Sequence, residues 1–194
     1  SERITSTLAV PAMLNFMLMV PDFDKVDLSS LRMIMSGASP VPVSLMEKYR
    51  DIGVEIHQLY GLTESCGVVS ICRADDSPER ISHSSGRAME GVEVKCVDRE
   101  GRELASGIDG EIWCRGYNVM QSYLDNPEET ASTITADGWL KTGDIGVMDA
   151  QGYIRITDRI KDMFIVGGFN CYPGEIENSL CSMPGVARAA VIGV

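Results

Sequence analysis

The sequence predicts a mixed α/β (α+β) chain. It comprises part of a parallel α/β sheet over residues 1–85, a small antiparallel β-barrel-like region over 86–160, and the start of a small α+β piece over 161–194. Two observations carry this. In the first third, apolar strand-like runs alternate with a helical pattern, and each run stops at a glycine-containing loop. From Gly86 onward the pattern changes to short strands separated by turns such as Arg99-Glu100-Gly101, Asp137-Gly138 and Gln151-Gly152.

Residues 11–20 are apolar and open with Pro11, a residue suited to a first helical turn. Residues 31–35 form a nearly continuous apolar run, expected of a strand buried on both faces, which stops at Ser36-Gly37-Ala38-Ser39-Pro40. A helix follows over 42–52, with Leu45, Met46, Tyr49 and Ile52 on one side and Gly53 as the stop. A second strand over 54–59 runs into Tyr60-Gly61-Leu62-Thr63-Glu64. Strand, loop, helix, strand, loop implies parallel pairing, which puts both loops at the carboxyl ends of strands, where ligands bind such sheets.

Strands are expected over 92–97, 110–114 and 153–157. One helix interrupts them, with Asn126 as N-cap, Pro127 at the first position and Glu129 at the third, close to a capping box. A further strand over 163–166, a helix over 173–183 and a strand over 189–194 complete the chain.

Composition excludes several classes. The apolar fraction of 44% and charged fraction of 23% are those of a soluble globular protein. No run approaches the roughly 20 apolar residues that span a bilayer, and no leader pattern opens the chain. A net charge of −11 argues against nucleic acid as a partner, so a polyanionic ligand must be held by local features. The six cysteines form no C-x-x-C pair, and with two histidines a zinc site is not expected. They read as reduced core thiols of a cytoplasmic protein. His83 lies in a serine-rich turn and is expected to be exposed; His57 reads equally as a pocket or a core residue.

Tyr60-Gly61-Leu62-Thr63-Glu64 sets an aromatic ring, a flexible glycine, a hydroxyl and a carboxylate side by side in a loop after a strand. Such a set can stack a base, admit close backbone approach, bond a phosphate and hold Mg²⁺. Alone it reads equally as a turn with a buried tyrosine. Downstream, Thr142-Gly143-Asp144 follows Asp137-Gly138-Trp139-Leu140-Lys141, and Asp158-Arg159 follows Gly152-Tyr153-Ile154. An aspartate beside glycine can accept from a ribose diol, and an arginine can bond the sugar or a phosphate. The conjunction, not any one motif, carries the reading.

With these strings the chain resembles the adenylate-forming superfamily of acyl-CoA synthetases, luciferases and peptide-synthetase adenylation domains. Further matching strings are Ser36-Gly37-Ala38-Ser39-Pro40, Gly110-Glu111-Ile112-Trp113-Cys114-Arg115-Gly116, Tyr123-Leu124-Asp125-Asn126-Pro127-Glu128-Glu129-Thr130 and the segment 158–177. The resemblance implies an ATP-dependent acyl-CoA synthetase that joins a carboxylic acid to coenzyme A through an acyl-adenylate. It implies that Tyr60 packs on adenine beside Gly61, and that Gly37, Ala38 and Ser39 line the nucleotide and acyl pocket. Thr63 and Glu64 take the catalytic roles, Thr63 at the α-phosphate and Glu64 holding Mg²⁺. Asp144 and Arg159 hold the ribose of ATP or AMP. Lys161 falls at the hinge before a mobile small domain, and Gly168 borders the pantetheine tunnel.

Two parts of the family pattern have no counterpart here: the Ser/Thr/Gly-rich phosphate loop and the carboxylate-activating lysine near the end of the small domain. The expectation is therefore an internal fragment without ligase activity of its own. Leu59 departs from the glycine common before the tyrosine, and its side chain narrows the acyl pocket. Two other readings differ in acceptor or in class. One is an adenylation domain loading a carrier protein, against which the run from Lys161 to Gly168 speaks; the other is a non-catalytic nucleotide-binding module. The particular acid and the oligomeric state are not legible.

Overall fold

The computed structural model describes residues 3–167, 169–181, 183–186 and 189–193. The chain divides into two compact units, one formed by 1–92, 117–120 and 152–154, the other by 93–116, 121–151 and 155–194.

The first unit contains β1 (Ser6–Leu8), α1 (Pro11–Leu18), β2 (Met33–Ser36), α2 (Val43–Asp51), β3 (Glu55–Tyr60), β4 (Ser70–Ile71), α3 (Pro78–His83) and β5 (Arg87–Ala88). Its five strands lie in the order β1-β2-β3-β4-β5. β1, β2 and β3 are parallel, with Met33 beside Ser6 and Glu55, while β4 and β5 are antiparallel additions. The parallel pairing expected from the strand–helix–strand pattern is therefore present.

A core of Leu14, Ile34, Leu45, Met46, Tyr49 and Ile56 joins the two longer helices to the sheet. Tyr49 is fully buried, and its hydroxyl donates to the Leu14 carbonyl at 2.9 Å, tying α2 to α1. Ile52, expected on the same buried side, is 45% exposed. The helix ends at Asp51, and Gly53 at φ 79° turns the chain into β3, so Ile52 leaves the helical register. β2 alternates half-buried Met33 and Met35 with buried Ile34 and Ser36, so only one face is fully covered. α1 is apolar on nearly every side yet buries only Pro11 and Leu14, leaving Met13 and Phe16, and Met19 just past its end, exposed.

The second unit is built on β6 (Val92–Val97), β7 (Gly110–Gly116), β8 (Leu140–Met148) and β9 (Ile154–Arg159), in the order β6-β7-β8-β9. Among the described residues these four strands form a sheet that is not closed into a barrel. Buried Ile112, Cys114 and Leu140 line one face. On the other, Lys95 and Arg115 lie over the Trp139 ring at 4.2 and 4.5 Å from its centroid. The ammonium and guanidinium groups themselves stand over the indole face as cation–π contacts.

α4 (Pro127–Thr133) begins as expected, with Asn126 Oδ1 accepting from the Glu129 N–H at 3.1 Å. β10 (Phe164–Val166) and β11 (Phe169–Cys171) pair antiparallel and lead into α5 (Pro173–Cys181). The strand expected over 189–194 is not formed among its described residues, 189–193. His83 is exposed as expected, but it ends a helix capped by Ser77 instead of lying in a turn. Among the described residues no helix is long and apolar enough to cross a membrane.

Tyr49→Phe removes a buried hydrogen bond between the two helices. It should lower unfolding free energy by about 1–2 kcal/mol, with an unchanged urea m-value. A loss no larger than that of an exposed-site control would show that the α1–α2 tie contributes little.

Candidate functional site

The two parallel strands β2 and β3 end at the same edge, and two candidate segments leave there. Gly37 follows β2 and packs against Leu59: a Cβ on Gly37 would lie 2.8 Å from Leu59 Cδ1 and 3.1 Å from its carbonyl. Ala38 is held in the left-handed region at φ 70°, a conformation uncommon for a residue with a side chain, and Ala38 and Ser39 are exposed. Gln58 anchors this loop, its Oε1 accepting from Val41 N–H at 2.7 Å and its Nε2 donating to Ser84 O at 3.0 Å. Leu59 thus fills space over the β2 loop where a glycine would leave it open.

The second loop carries Tyr60, Gly61, Thr63 and Glu64. Gly61 is obligatory, because a Cβ there would fall 2.1 Å from the Gly67 carbonyl oxygen. Buried Ser65 accepts from Leu62 N–H at 3.1 Å and donates to Leu62 O at 2.9 Å, closing a turn over residues 63–65. Segment 117–120 braces it: Met120 N–H donates to Glu64 O at 2.8 Å and Asn118 Nδ2 to Val68 O at 2.9 Å. Thr63 is exposed, whereas Tyr60 and Glu64 are half-buried. Gln58, Ser65 and Asn118 give no signal in the sequence, because they bond backbone groups and carry no chemistry of their own.

In the second unit the structure brings Asp144 and Arg159 together. Glu111 stands opposite Ile145 and Trp113 opposite Lys141, so Thr142, Gly143 and Asp144 all face Ile112 alone. The Thr-Gly-Asp motif is itself a bulge, made possible by Gly143 at φ 73°. Its backbone is held by side chains, Gly143 N–H donating to Glu111 Oε1 at 3.0 Å and Asp144 N–H to Thr142 Oγ1 at 3.1 Å. Asp144 is only 3% exposed, and Arg159 Nε donates to its Oδ1 at 2.9 Å. Burying a carboxylate is costly unless it is paired and hydrogen-bonded, and here it is. Ile160 N–H donates to Gly143 O at 2.8 Å, extending the contact past the arginine. Lys161 is exposed in the turn that follows, and Gly168 lies outside the described residues.

Among the described residues no group of three His, Cys, Asp or Glu side chains forms a metal cage. A single carboxylate such as that of Glu64 suits Mg²⁺, which takes one or two protein carboxylates and completes its shell with phosphate oxygens and water. His57 is buried in β3, with Nδ1 3.0 Å from Cys72 O and Nε2 3.3 Å from Glu55 Oε2. With Arg50 and Arg73 it borders a small polar cleft at the amino-terminal half of β3, not the loop at its carboxyl end. Burial pushes the Cys72 thiol up to about 11 and Cys114 up to about 12.

Residues 1–124 match the AMP-binding enzyme family, and the chain belongs to it. A methyl-dioxo-octahydroindenyl-propanoyl:CoA ligase of Rhodococcus jostii is 49% identical over 195 residues, covering 100% of this chain and 36% of that protein. The structure of a Mycobacterium tuberculosis fatty acyl CoA synthetase aligns with TM-score 0.83 at 38% identity, over 99% of this chain and 38% of that one. O-succinylbenzoate coenzyme A synthetase (MenE) of Bacillus subtilis, solved in complex with AMP, aligns with TM-score 0.81 at 35% identity, over 99% and 39%. The chain thus spans a little over a third of the length of these relatives.

Gly61→Ala should destabilise the first unit by roughly 2 kcal/mol or more, read as a fall in thermal midpoint, since backbone must move to admit the methyl. Alkylation of the native chain at pH 8 should modify exposed Cys66 and Cys181 well before buried Cys72, Cys96 and Cys114. Equal labelling of all five, followed by peptide mass spectrometry, would contradict the burial.

Proposed function

We propose that this chain is the adenosine-phosphate-binding part of an ATP-dependent acyl-CoA synthetase. The whole enzyme joins a carboxylic acid, ATP and coenzyme A into acyl-CoA, AMP and pyrophosphate. The observation that carries the reading is the buried Asp144 carboxylate fixed by Arg159 on a bulge, in a chain of the AMP-binding family.

In this reading the Asp144 carboxylate accepts from a ribose hydroxyl while Arg159, with one of its N–H groups engaged on Asp144, directs other donors to the sugar or phosphate. Tyr60 packs on adenine with the backbone of Gly61 close by, Gly37, Ala38 and Ser39 line the nucleotide and acyl pocket, and Thr63 donates to the α-phosphate. Mg²⁺ supplies charge neutralisation at the phosphates, and Glu64 would hold it. The carboxylate of the acid attacks the α-phosphorus, pyrophosphate leaves, and the thiol of coenzyme A then displaces AMP. Lys161 takes the hinge position.

The relatives' names cover a bicyclic propanoate, fatty acids and o-succinylbenzoate, which agree on a carboxylic acid and differ in the group it carries. Leu59, standing over Gly37, narrows the space for it; a medium or long aliphatic acid is the proposed class, on the similarity to the fatty acyl CoA synthetase. A carrier protein as acceptor is the second reading; the run Lys161-Asp162-Met163-Phe164 favours coenzyme A.

Titration calorimetry of the 194-residue chain should show weak AMP binding and tighter acyl-AMP binding, and a pyrophosphate assay should show no acid-dependent release. Steady coenzyme A-dependent AMP formation by the chain would overturn the proposed lack of turnover. Asp144→Ala and Arg159→Ala should each weaken AMP binding about tenfold, close to 1.4 kcal/mol. The double variant should lose less than the sum, because the two side chains act as one unit. Unchanged affinity in both single variants would remove the ribose assignment.

A further inference from the structure

After β9 the chain makes an excursion through the Lys161 turn and the β10–β11 hairpin before α5 begins at Pro173. One side chain joins the two ends of that excursion. Asp158 Oδ1 accepts from Arg159 N–H at 2.7 Å, and its Oδ2 accepts from Gly174 N–H at 2.9 Å. Gly174 is the second residue of a nine-residue helix that starts with proline. Its N–H is therefore the first donor of α5 and has no partner within the helix. A carboxylate placed there satisfies that donor and complements the positive end of the helix dipole.

The seat is tight. A Cβ on Gly174 would lie 3.0 Å from Thr157 O and 3.4 Å from Asp158 Oδ2, so the missing side chain lets α5 approach the strand. At the other end of the excursion, Arg159 holds Asp144 and Ile160 N–H holds Gly143 O. The residues at both ends of this excursion are thus hydrogen-bonded, and Asp158 supplies a bond to each.

We infer that Asp158 is a positioning residue: it latches the amino terminus of α5 to the end of β9 and so fixes the backbone from which Arg159 reaches Asp144. Each carboxylate oxygen serves a different N–H. Asp158→Asn keeps one acceptor oxygen and Asp158→Ala keeps none, which predicts a graded response. The latch stands apart from the nucleotide reading; only its effect on AMP affinity rests on that reading.

Hydrogen–deuterium exchange on the full 194-residue chain tests it, with wild type, Asp158→Asn and Asp158→Ala compared by peptide mass spectrometry. The Gly174 amide and the first turn of α5 should exchange about tenfold faster in Asp158→Ala, the expected loss of a capping bond. Asp158→Asn should fall between, and β7 and β8 should keep wild-type protection. AMP affinity measured on the same samples should follow the same order. Wild-type protection at Gly174 in Asp158→Ala overturns the latch, as does equal acceleration throughout β6–β9, which would make Asp158 a general stability residue. If wild type binds no AMP, the nucleotide reading fails, and the exchange pattern alone decides the latch.

Discussion

A buried carboxylate sets the terms for the second unit. Taking the Asp144 charge out of water demands hydrogen bonds, and the local structure is organised to provide and to place them. Glycine at 143 permits the left-handed turn, and Thr142 bonds both the Ile112 carbonyl and the Asp144 N–H. Glu111 holds the Gly143 amide from the neighbouring strand, and Arg159 arrives from β9 to pair the charge. Removing any of these strips a bond from a group that has little water to replace it, so the motif behaves as a unit.

The first unit follows a different logic. Parallel pairing of β2 with β3 delivers two loops to one sheet edge, and the helices α1 and α2 cover the sheet with a shared apolar core. Beyond Val41, which roots the loop after β2 in that core, the loops take little from it. They are held by polar side chains bonding backbone: Gln58 for the loop after β2, Ser65 and Asn118 for the loop after β3. In the proposed reading, loops held in this way would orient a phosphate ligand that the chain's net charge of −11 repels.

Much of this is legible in the order of the residues alone. The strand–loop–helix–strand pattern marks parallel pairing, Asn126 and Pro127 mark the start of α4, and the tyrosine, aspartate and arginine motifs point to an adenylate-forming enzyme. Short elements escape such a reading: β1, β4 and β5 have two or three residues each, and α3 has six. Segments so short carry no periodicity to read, and the strands among them exist because a neighbouring strand supplies hydrogen-bond partners.

By itself the sequence determined the parallel sheet, the family and the identity of the chemical groups, because hydrophobic period and contiguous motifs are local properties. Only the tertiary structure decided that Thr142-Gly143-Asp144 is a bulge, that Leu59 fills the space over Gly37, and that Asp158 reaches Gly174. It also decided that His57 belongs to the strand core. Each of these depends on which residue lies across a strand pair or a loop closure, and that distance in space is not written in distance along the chain.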